Sequence, residues 1–478
     1  MAKYYQTTTI PYVNAEPHIG FALEIVQADT IARYRSLMGD DVIFNFGTDE
    51  HGVKIYEKAL AANKTPQEYC DEYAVKFDAL KKALNLSYNK FIRTTDTHHI
   101  AAAQEFWKLA KANDDIYKKL YKIKYCVGCE LEKTDSELVE SRCPLHPNQD
   151  IQVYEEENYF FRFSKYQNAL LELYKKNPQF VVPENKLNEI RNFVEQGLQD
   201  FSITRLKAKM PWGIDVPDDP DHVMYVWFDA LINYISTIGW PTDKKQFQDY
   251  WPVVQFAGKD QVRQQAAMWQ AMLMSVQLPS SKQIFIHGFM TVDGQKISKS
   301  LGNTIDPIQV AKEYGTDTLR YYLLAKIHPT EDSDFSWDKF KQSYNSDLAN
   351  GLGNLVARVA KLCETIDYTH DGGTKTFHDV LSKHKAFQDT LEAYKFSEAL
   401  AILWEKITLV DRYINDEKPW VLVKSDAEKA VNVLAHCVNE IQEIALLLQP
   451  FLPETAGKIQ EQYKGPKIVS GQSLFPRL

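Results

Sequence analysis

Three groups of side chains in this sequence have the types and spacing that chemistry requires. The first is Cys126-x2-Cys129-x13-Cys143-x2-His146, in which two short-spaced pairs can each supply one edge of a tetrahedron. Three thiolates and one imidazole leave no open coordination position, so one structural zinc ion per chain is expected, with no part in a reaction. The second group is Pro17-His18-Ile19-Gly20, where a strand-like segment gives way to a helical pattern. His18 and the first free amides of a helix would there point at one spot, and glycine permits close approach, which suits a polyphosphate. A histidine beside a glycine is more often a helix cap, so this group gains weight only from the third. Lys296-Ile297-Ser298-Lys299-Ser300, followed by Leu301-Gly302-Asn303, sets two cations around a hydroxyl. Lys296, Ser298 and Lys299 could clamp a triphosphate and neutralise charge developing in phosphoryl or nucleotidyl transfer, although an isolated lysine pair is ordinarily a solvated basic turn.

The elements that must position these groups follow from periodicity. Lys3 to Tyr12, rich in Thr, Tyr and Ile, is expected to be a strand entering a loop at Asn14 to Pro17. Ile19, Leu23, Val26, Tyr34 and Leu37 share one face of a helix ending at Gly39, and Asp41 to Gly47 reads as a short apolar strand. Strand, loop, helix and strand make one right-handed parallel unit, so the fold class is α/β with a doubly wound, Rossmann-type sheet. The cysteine cluster and loop-forming prolines interrupt this pattern over 116–221, which reads as an insertion; the alternation resumes with buried strands at Gln255-Phe256-Ala257 and Ile284-Phe285-Ile286. From about 347 the signal is purely helical, with stripes Leu352/Leu355/Val356/Val359/Leu362, Leu403/Ile407/Val410/Ile414 and Leu434/Cys437/Ile441/Ile444/Leu448. The expected organisation is therefore a split catalytic domain at 1–115 and 222–346, the zinc-bearing insertion at 116–221, and a helix bundle at 347–478.

Composition narrows the class further. With 44% hydrophobic and 25% charged residues the chain is globular, and its net charge of −9 argues against a protein that coats nucleic acid non-specifically, though a local basic groove remains compatible. Cys70, Cys363 and Cys437 stand apart from the cluster and read as buried thiols outside any disulfide framework. The start of the chain lacks the features of a secretory signal, and no stretch reaches the ~18 apolar residues of a membrane span, so a cytoplasmic protein without membrane contact is expected.

Taken together, the proline-histidine-isoleucine-glycine and lysine-isoleucine-serine-lysine-serine segments resemble the paired signatures of the class I aminoacyl-tRNA synthetases. Within that class the sequence is similar to the methionyl-tRNA synthetases at Pro11 to His18, Gly47-Thr48-Asp49-Glu50-His51-Gly52, Tyr225 to Tyr234, Gly258-Lys259-Asp260 and Pro419-Trp420. The resemblance covers nearly the whole chain and implies an ATP-dependent ligase that activates methionine and transfers it to tRNA(Met), with ATP as its Mg2+ complex. It implies phosphate work for His18, Lys296 and Lys299, and ATP contacts at Gly20, Gly258, Asp260 and Ser298. It implies a methionine site at Ile10, Tyr12, Asp49, Trp227, Ala230, Leu231 and Tyr234, with Asp49 on the ammonium and aromatic rings around the side chain. A zinc knuckle within the insertion is likewise a family feature. In the bundle, Asn350 to Arg358 resembles the family's first anticodon helix, which implies that Asn354 and Arg358, four residues apart on one face, can hydrogen-bond base edges and that Trp420, at the helix start marked by Pro419, can stack on an anticodon base.

The sequence also departs from the family pattern. Phe21 replaces the second histidine of the first signature, and Gln261 and Gln265 stand where an apolar residue and a histidine commonly line the methionine pocket. One expectation is a coupled variant site in which Gln265 compensates for Phe21. Two alternatives stand beside methionine ligation. Another class I synthetase for an aliphatic amino acid is disfavoured because the insertion is short for an editing domain. A catalytically silent tRNA-binding relative is the other. The chain stops soon after the bundle, which leads to the expectation of a monomer.

Overall fold

Alternation with a period of two builds the central layer. In β1 (Lys3–Thr7) Tyr4 faces one core and Tyr5 the other; in β2 (Asp41–Thr48) Phe44 and Phe46 oppose Ile43. The computed structural model describes residues 1–129, 131–133, 137–297, 302–370, 373 and 375–477. With β3 (Lys90–Arg93), β4 (Val181–Val182), β5 (Val254–Gly258) and β6 (Gln283–His287) these strands form a six-stranded sheet in the order β3-β2-β1-β5-β6-β4, every neighbouring pair parallel. This is the doubly wound parallel layer that the periodicity implies.

Strand β1 ends at Thr7, short of the expected Tyr12; beyond it the Thr9 amide is shared between the Phe256 carbonyl at 3.1 Å and the Glu24 carboxylate at 2.8 Å, and its hydroxyl donates to the same carboxylate at 2.6 Å. Pairing then resumes at a single position, Tyr12 beside Asp49. Helix α1 (Ile19–Leu37) is capped by His18 at its start, and Gly39 follows its end at φ 87°, a left-handed turn that glycine adopts without steric cost.

Within 116–221, strands Ile116–Cys126 and Gln152–Phe161 form a long antiparallel ribbon running from Ile116 beside Phe161 to Tyr125 beside Gln152. The same segment also supplies β4, the edge of the central sheet, so it is tied to the parallel layer as well as projecting from it. The two faces of the sheet lie in different cores. Tyr4, Phe44, Phe256 and Phe285 pack with α1 and the C-terminal helices, whereas Tyr5, Ile43, Ala257 and Ile286 pack with the 97–112 helix, the base of the ribbon and the Val226–Ser236 segment.

In the C-terminal region, α2 (Asn354–Thr365), α3 (Phe396–Glu417), α4 (Pro419–Ser425) and α5 (Ala427–Leu448) bury the expected stripes, except that Leu362 is only half-buried and Cys363 beside it fills the core position. Helix α5 is long and apolar enough to cross a membrane by length and composition, but its stripe Leu434/Cys437/Ile441/Ile444/Leu448 is buried in the bundle. Arg320 fastens bundle to sheet. Fully buried, it pairs with Asp29 of α1 at 2.8 Å and donates to the carbonyls of Phe451 and Pro450. Burial alone would raise the Asp29 pKa, but Arg320, Arg33 and Ser87 outweigh it and hold the carboxyl below its usual range.

Candidate active site and metal centre

Strands β1 and β5 are neighbours whose chain connections leave in opposite directions, toward β2 and toward β6. In an open parallel sheet the crevice beyond the carboxyl ends at such a point is where ligands bind. His18 stands at its rim. Its Nδ1 accepts from the Gly20 amide at 3.1 Å, which fixes the neutral tautomer with the proton on Nε2, a donor. A Cβ on residue 20 would lie 2.9 Å from the His18 ring, so glycine is required for this cap. The expected free amides are otherwise engaged: Ile19 donates to the Ile305 carbonyl at 3.0 Å and Phe21 to the His18 carbonyl at 2.9 Å. Any anion here meets the His18 ring and the helix dipole more than bare backbone donors. The Phe21 ring lies 4.4 Å from the His18 ring and edge-on to Phe77, so the substituted position becomes a packing shelf for the histidine.

The floor of the crevice holds a pair that the sequence did not single out. Glu24 takes Thr9 on one carboxylate oxygen and His287, at the end of β6, on the other at 2.8 Å. Burial alone would lower the His287 pKa, but the Glu24 hydrogen bond and charge, with the Gly288 carbonyl, raise it above the ordinary histidine value. Gly258 closes β5 next to them; a Cβ there would sit 2.8 Å from the exposed Asp260 carboxylate and 3.5 Å from His287. Glu24, on a helix face of mostly apolar residues, carried a weak sequence signal as a buried acid.

On the β2 side, Tyr12 and Asp49 are held side by side by Val13 N donating to Asp49 O (3.2 Å) and Asp49 N to Pro11 O (2.9 Å). The Asp49 loop is braced from all sides. Arg93 grips both oxygens of Glu50 at 2.7 and 2.9 Å, Tyr12 donates to the His51 carbonyl, and His51 Nδ1 meets the fully buried Asp229 at 3.0 Å. Asp229 is kept below its usual pKa by His51 and His99, against the opposing effect of burial. Gly52, at φ 114°, is required because a Cβ there would meet the Tyr12 hydroxyl at 2.2 Å.

Asp229 belongs to the Tyr225–Tyr234 stretch, which is fastened over the ends of β1 and β2 by Tyr5 donating to the Tyr234 carbonyl (2.8 Å) and by Asn45 donating to Asn233 (3.2 Å). Ala230, Leu231 and Tyr234 are buried there, and Trp227 is half-buried. Gln265 donates to the Tyr234 hydroxyl at 2.8 Å. Among the described residues, the buried Trp227 Nε1, Gln261 Oε1 and Gln264 Oε1 atoms have no hydrogen-bond partner, so this wall presents polar atoms to something other than itself. A cavity of about 460 Å³ opens alongside, lined by Tyr12, Gly52, Tyr125, Arg205, Tyr225 and Val226, between the loop and the ribbon. Of the residues expected to contact methionine only Tyr12 lines it, and Ile10 lies half-buried just before Tyr12 in the same loop.

The four metal-ligand candidates converge. Their donor atoms lie within 4.8 Å of one another, with Cys129–Cys143 at 3.3 Å and His146 Nδ1 at 3.3 to 3.9 Å from the three sulfurs. A tetrahedral ion with metal–sulfur bonds of ~2.3 Å needs edges of roughly 3.8 Å, so the residues present fit zinc. Without an ion the thiols divide: burial, then the hydrogen bond to Cys143, pushes Cys129 up to about 12. Burial resists ionisation of Cys143, but the Cys129 thiol and the backbone amides of Leu145 and His146 outweigh it and lower its pKa. Burial, then the charges of Lys296, Lys54 and Lys133, lower that of His146, keeping the ring neutral as ligation requires. Gly128 is required under the His146 ring, and its carbonyl accepts from Lys54 of the 53–61 helix, which docks the knuckle against the Asp49 loop.

Lys296 is exposed on a short strand paired with Met290–Val292, and its carbonyl accepts from Asn303 at 3.0 Å, which draws together the two ends of the lysine segment. Ser298 and Lys299 lie outside the described residues. In the bundle, Arg358 is a nexus: it meets Asp411 at 3.1 Å and Asn415 at 2.8 Å and lies 5.0 Å over the Trp420 ring. Pro419 is buried at the first position of α4, while Trp420 and Asn354 are exposed. Of the residues expected to read tRNA bases, Arg358 and Trp420 are thus in contact, Asn354 lies one turn before Arg358 on α2, and Pro419 is buried.

The family model described as tRNA synthetases class I (M) matches residues 4–152 and 134–360, and that of the anticodon binding domain of methionyl tRNA ligase matches 368–468. The chain belongs to the methionyl-tRNA synthetase family. It is 44% identical to the methionine–tRNA ligase of Thermotoga maritima over 96% of this chain and 74% of that one, and 41% identical to that of Nostoc sp. over 95% and 89%. Its structure is similar to that of Mycobacterium tuberculosis methionyl-tRNA synthetase in complex with methionyl-adenylate, with a TM-score of 0.93, 35% identity and complete coverage of both chains. Against the free-state form of the Mycobacterium protein the TM-score is 0.85 at 33% identity, covering 100% of this chain and 98% of that one. These matches lend no support to a silent relative. As for the coupling expected between Phe21 and Gln265, Phe21 packs on His18 and Phe77 and Gln265 bonds to Tyr234 and Gln255, with no partner in common among the described residues.

Proposed function

We propose that this chain is a methionine–tRNA ligase that forms methionyl-adenylate from methionine and ATP and transfers the methionyl group to tRNA(Met). The observation that carries the reading is the likeness, across the entire chain, to a synthetase structure holding methionyl-adenylate. In this reading Asp49, rigidly braced by Glu50–Arg93 and His51–Asp229, takes the substrate ammonium, and Tyr12, Trp227, Ala230, Leu231, Tyr234, Gln261, Gln265 and Ile10 surround the thioether side chain. The methionine carboxylate attacks the α-phosphate and pyrophosphate leaves. His18, through Nε2–H, together with Lys296 and Lys299, stabilises the charge that builds on the phosphates, while Gly20, Gly258, Asp260 and Ser298 shape the nucleotide side. No covalent enzyme intermediate is needed, so the rate rests on alignment and fixed charge.

Bound Mg2+ would add charge neutralisation at the phosphates, and zinc on Cys126, Cys129, Cys143 and His146 would fold the knuckle without touching the reaction. Asn354, Arg358, Pro419 and Trp420 form the anticodon surface, with 347–478 as its domain, 116–221 as the insertion, and 1–115 with 222–346 as the catalytic unit. We further propose a monomer acting in the cytoplasm, where tRNA is charged. The test is exchange of labelled pyrophosphate into ATP with each amino acid in turn. Methionine-dependent exchange is expected; exchange driven by another aliphatic amino acid, or none at all, would contradict the reading.

A further inference from the structure

One aromatic side chain of the 116–221 segment reaches into the Asp49 loop. The half-buried Trp212 donates its indole N–H to the Glu50 carbonyl at 2.6 Å, and the same ring lies edge-on to His51 with 5.4 Å between centroids. The neighbouring backbone groups of the loop are held from within residues 1–115. Asp49 N donates to the Pro11 carbonyl, Asp49 O accepts from Val13 N, Glu50 N donates to the Thr94 hydroxyl, and His51 O accepts from the Tyr12 hydroxyl. Glu50 O also meets the Cys70 thiol at 3.4 Å, but a thiol is a weak donor. Glu50 is fully buried, so the indole supplies a bond that solvent does not.

The indole is firmly based. Ile214 and Val216, two and four residues on, pack in the core that holds the base of the ribbon, whereas Trp212 packs against the core of α1. Asp215 pairs with Val223, and Met224 N donates to the Ile214 carbonyl at 2.7 Å, so the chain just after Trp212 is clamped to the strand Asp219–Met224. That strand runs directly into Tyr225–Tyr234, whose Asp229 holds the His51 ring. One small sheet therefore grips the Asp49 loop twice, through Asp229 and through Trp212. We propose that Trp212 is a positioning residue for the ammonium site: its N–H fixes the plane of the Glu50–His51 peptide, and with it the direction in which Asp49 presents its carboxylate. This deepens the methionine-ligase reading and rests on it, since the group that Asp49 holds in that reading is the substrate ammonium. Trp212 acts through the loop and not on the substrate. Its removal should weaken ground state and transition state alike, and so appear in KM and not in kcat.

The experiment measures KM and kcat for methionine in pyrophosphate exchange at saturating ATP, together with inhibition by two methionine analogues. Methioninol keeps the ammonium, and 4-(methylthio)butanoate lacks it. Trp212→Phe removes the donor alone, and Trp212→Leu removes donor and ring. Trp212→Gln returns a donor, because its Nε2 lies as many bonds from Cβ as the indole nitrogen does. In the Phe and Leu variants KM for methionine and the inhibition constant of methioninol should rise about threefold to tenfold, the worth of one hydrogen bond, while kcat and the constant of the butanoate change by less than about twofold. Trp212→Gln should bring KM back to within about twofold of the unaltered protein. KM does not depend on the fraction of protein folded, so partial misfolding of a variant leaves the result readable. An unchanged KM in both Phe and Leu variants overturns the proposal, as does equal weakening of both analogues, or a Gln variant no better than Leu. Each of these leaves the functional reading standing. Absence of methionine-dependent exchange in the unaltered protein overturns that reading, and the proposal with it.

Discussion

The crevice above the sheet and the surface at the start of α4 hold their polar groups in opposite ways. Around Asp49 the supports are buried: Glu50 and Asp229 are fully inaccessible, each carboxylate is held by cationic or imidazole partners, and Gly52 admits the Tyr12 hydroxyl at a distance no other residue tolerates. Around Arg358 the partner Asn415 is exposed, Asp411 is half-buried, and Trp420 is 42% exposed. Buried networks are costly to break and rigid when complete, whereas exposed ion pairs contribute little to stability. The first region is suited to chemistry that tolerates little displacement. The second is suited to a large, flexible partner whose binding supplies the burial that the free surface lacks.

The largest effect that would sharpen this contrast is at Asp49. Asp49→Asn removes the charge proposed to hold the ammonium, and losing one partner of a buried ion pair costs ~3–5 kcal/mol, so kcat/KM for exchange should fall about a hundredfold or more while binding of tRNA is unchanged. A loss of less than about fivefold would remove Asp49 from the site.

A second test concerns the knuckle, whose folding is expected to depend on metal. Elemental analysis of reduced protein should give one zinc per chain, and Cys126→Ser should lower both zinc content and the unfolding temperature, since the metal's binding energy is also folding energy. A content below about one ion per ten chains would refute the zinc assignment.

The smallest effect is at His287. Its pKa is raised in the folded chain, so its contribution to stability is complete below the unfolded value of ~6.5 and is lost as pH rises through the higher folded value. The unfolding temperature of the unaltered protein should therefore fall more steeply above pH 6.5 than that of His287→Gln. Equal slopes would mean that the Glu24 pair is not linked to folding.

What could be read directly from the sequence was local. The knuckle lies within one stretch with metal-ligand spacing, and its four donor atoms do converge; the three helical stripes are buried almost as written; Pro419 marks the helix start that presents Trp420. The missing parts are long-range. Glu24 meets His287, and His51 meets Asp229, across separations at which no spacing rule applies, and Gln255 and Gln270 are residue types that normally mark a surface. The amides at the start of α1 looked available because their partners, the Ile305 carbonyl and the His18 ring, cannot be inferred from a period of 3.6. Phe21 read as a lost phosphate donor, whereas its contacts make it the shelf for His18.

The separation of the two regions is tested most directly by Trp420→Ala, assayed both for pyrophosphate exchange and for attachment of labelled methionine to tRNA(Met). Loss of a base-stacking ring costs ~1–3 kcal/mol, so charging should fall about fivefold to a hundredfold in kcat/KM for tRNA while exchange stays at the level of the unaltered protein. Equal loss in both assays, or charging that is undiminished, would contradict the account.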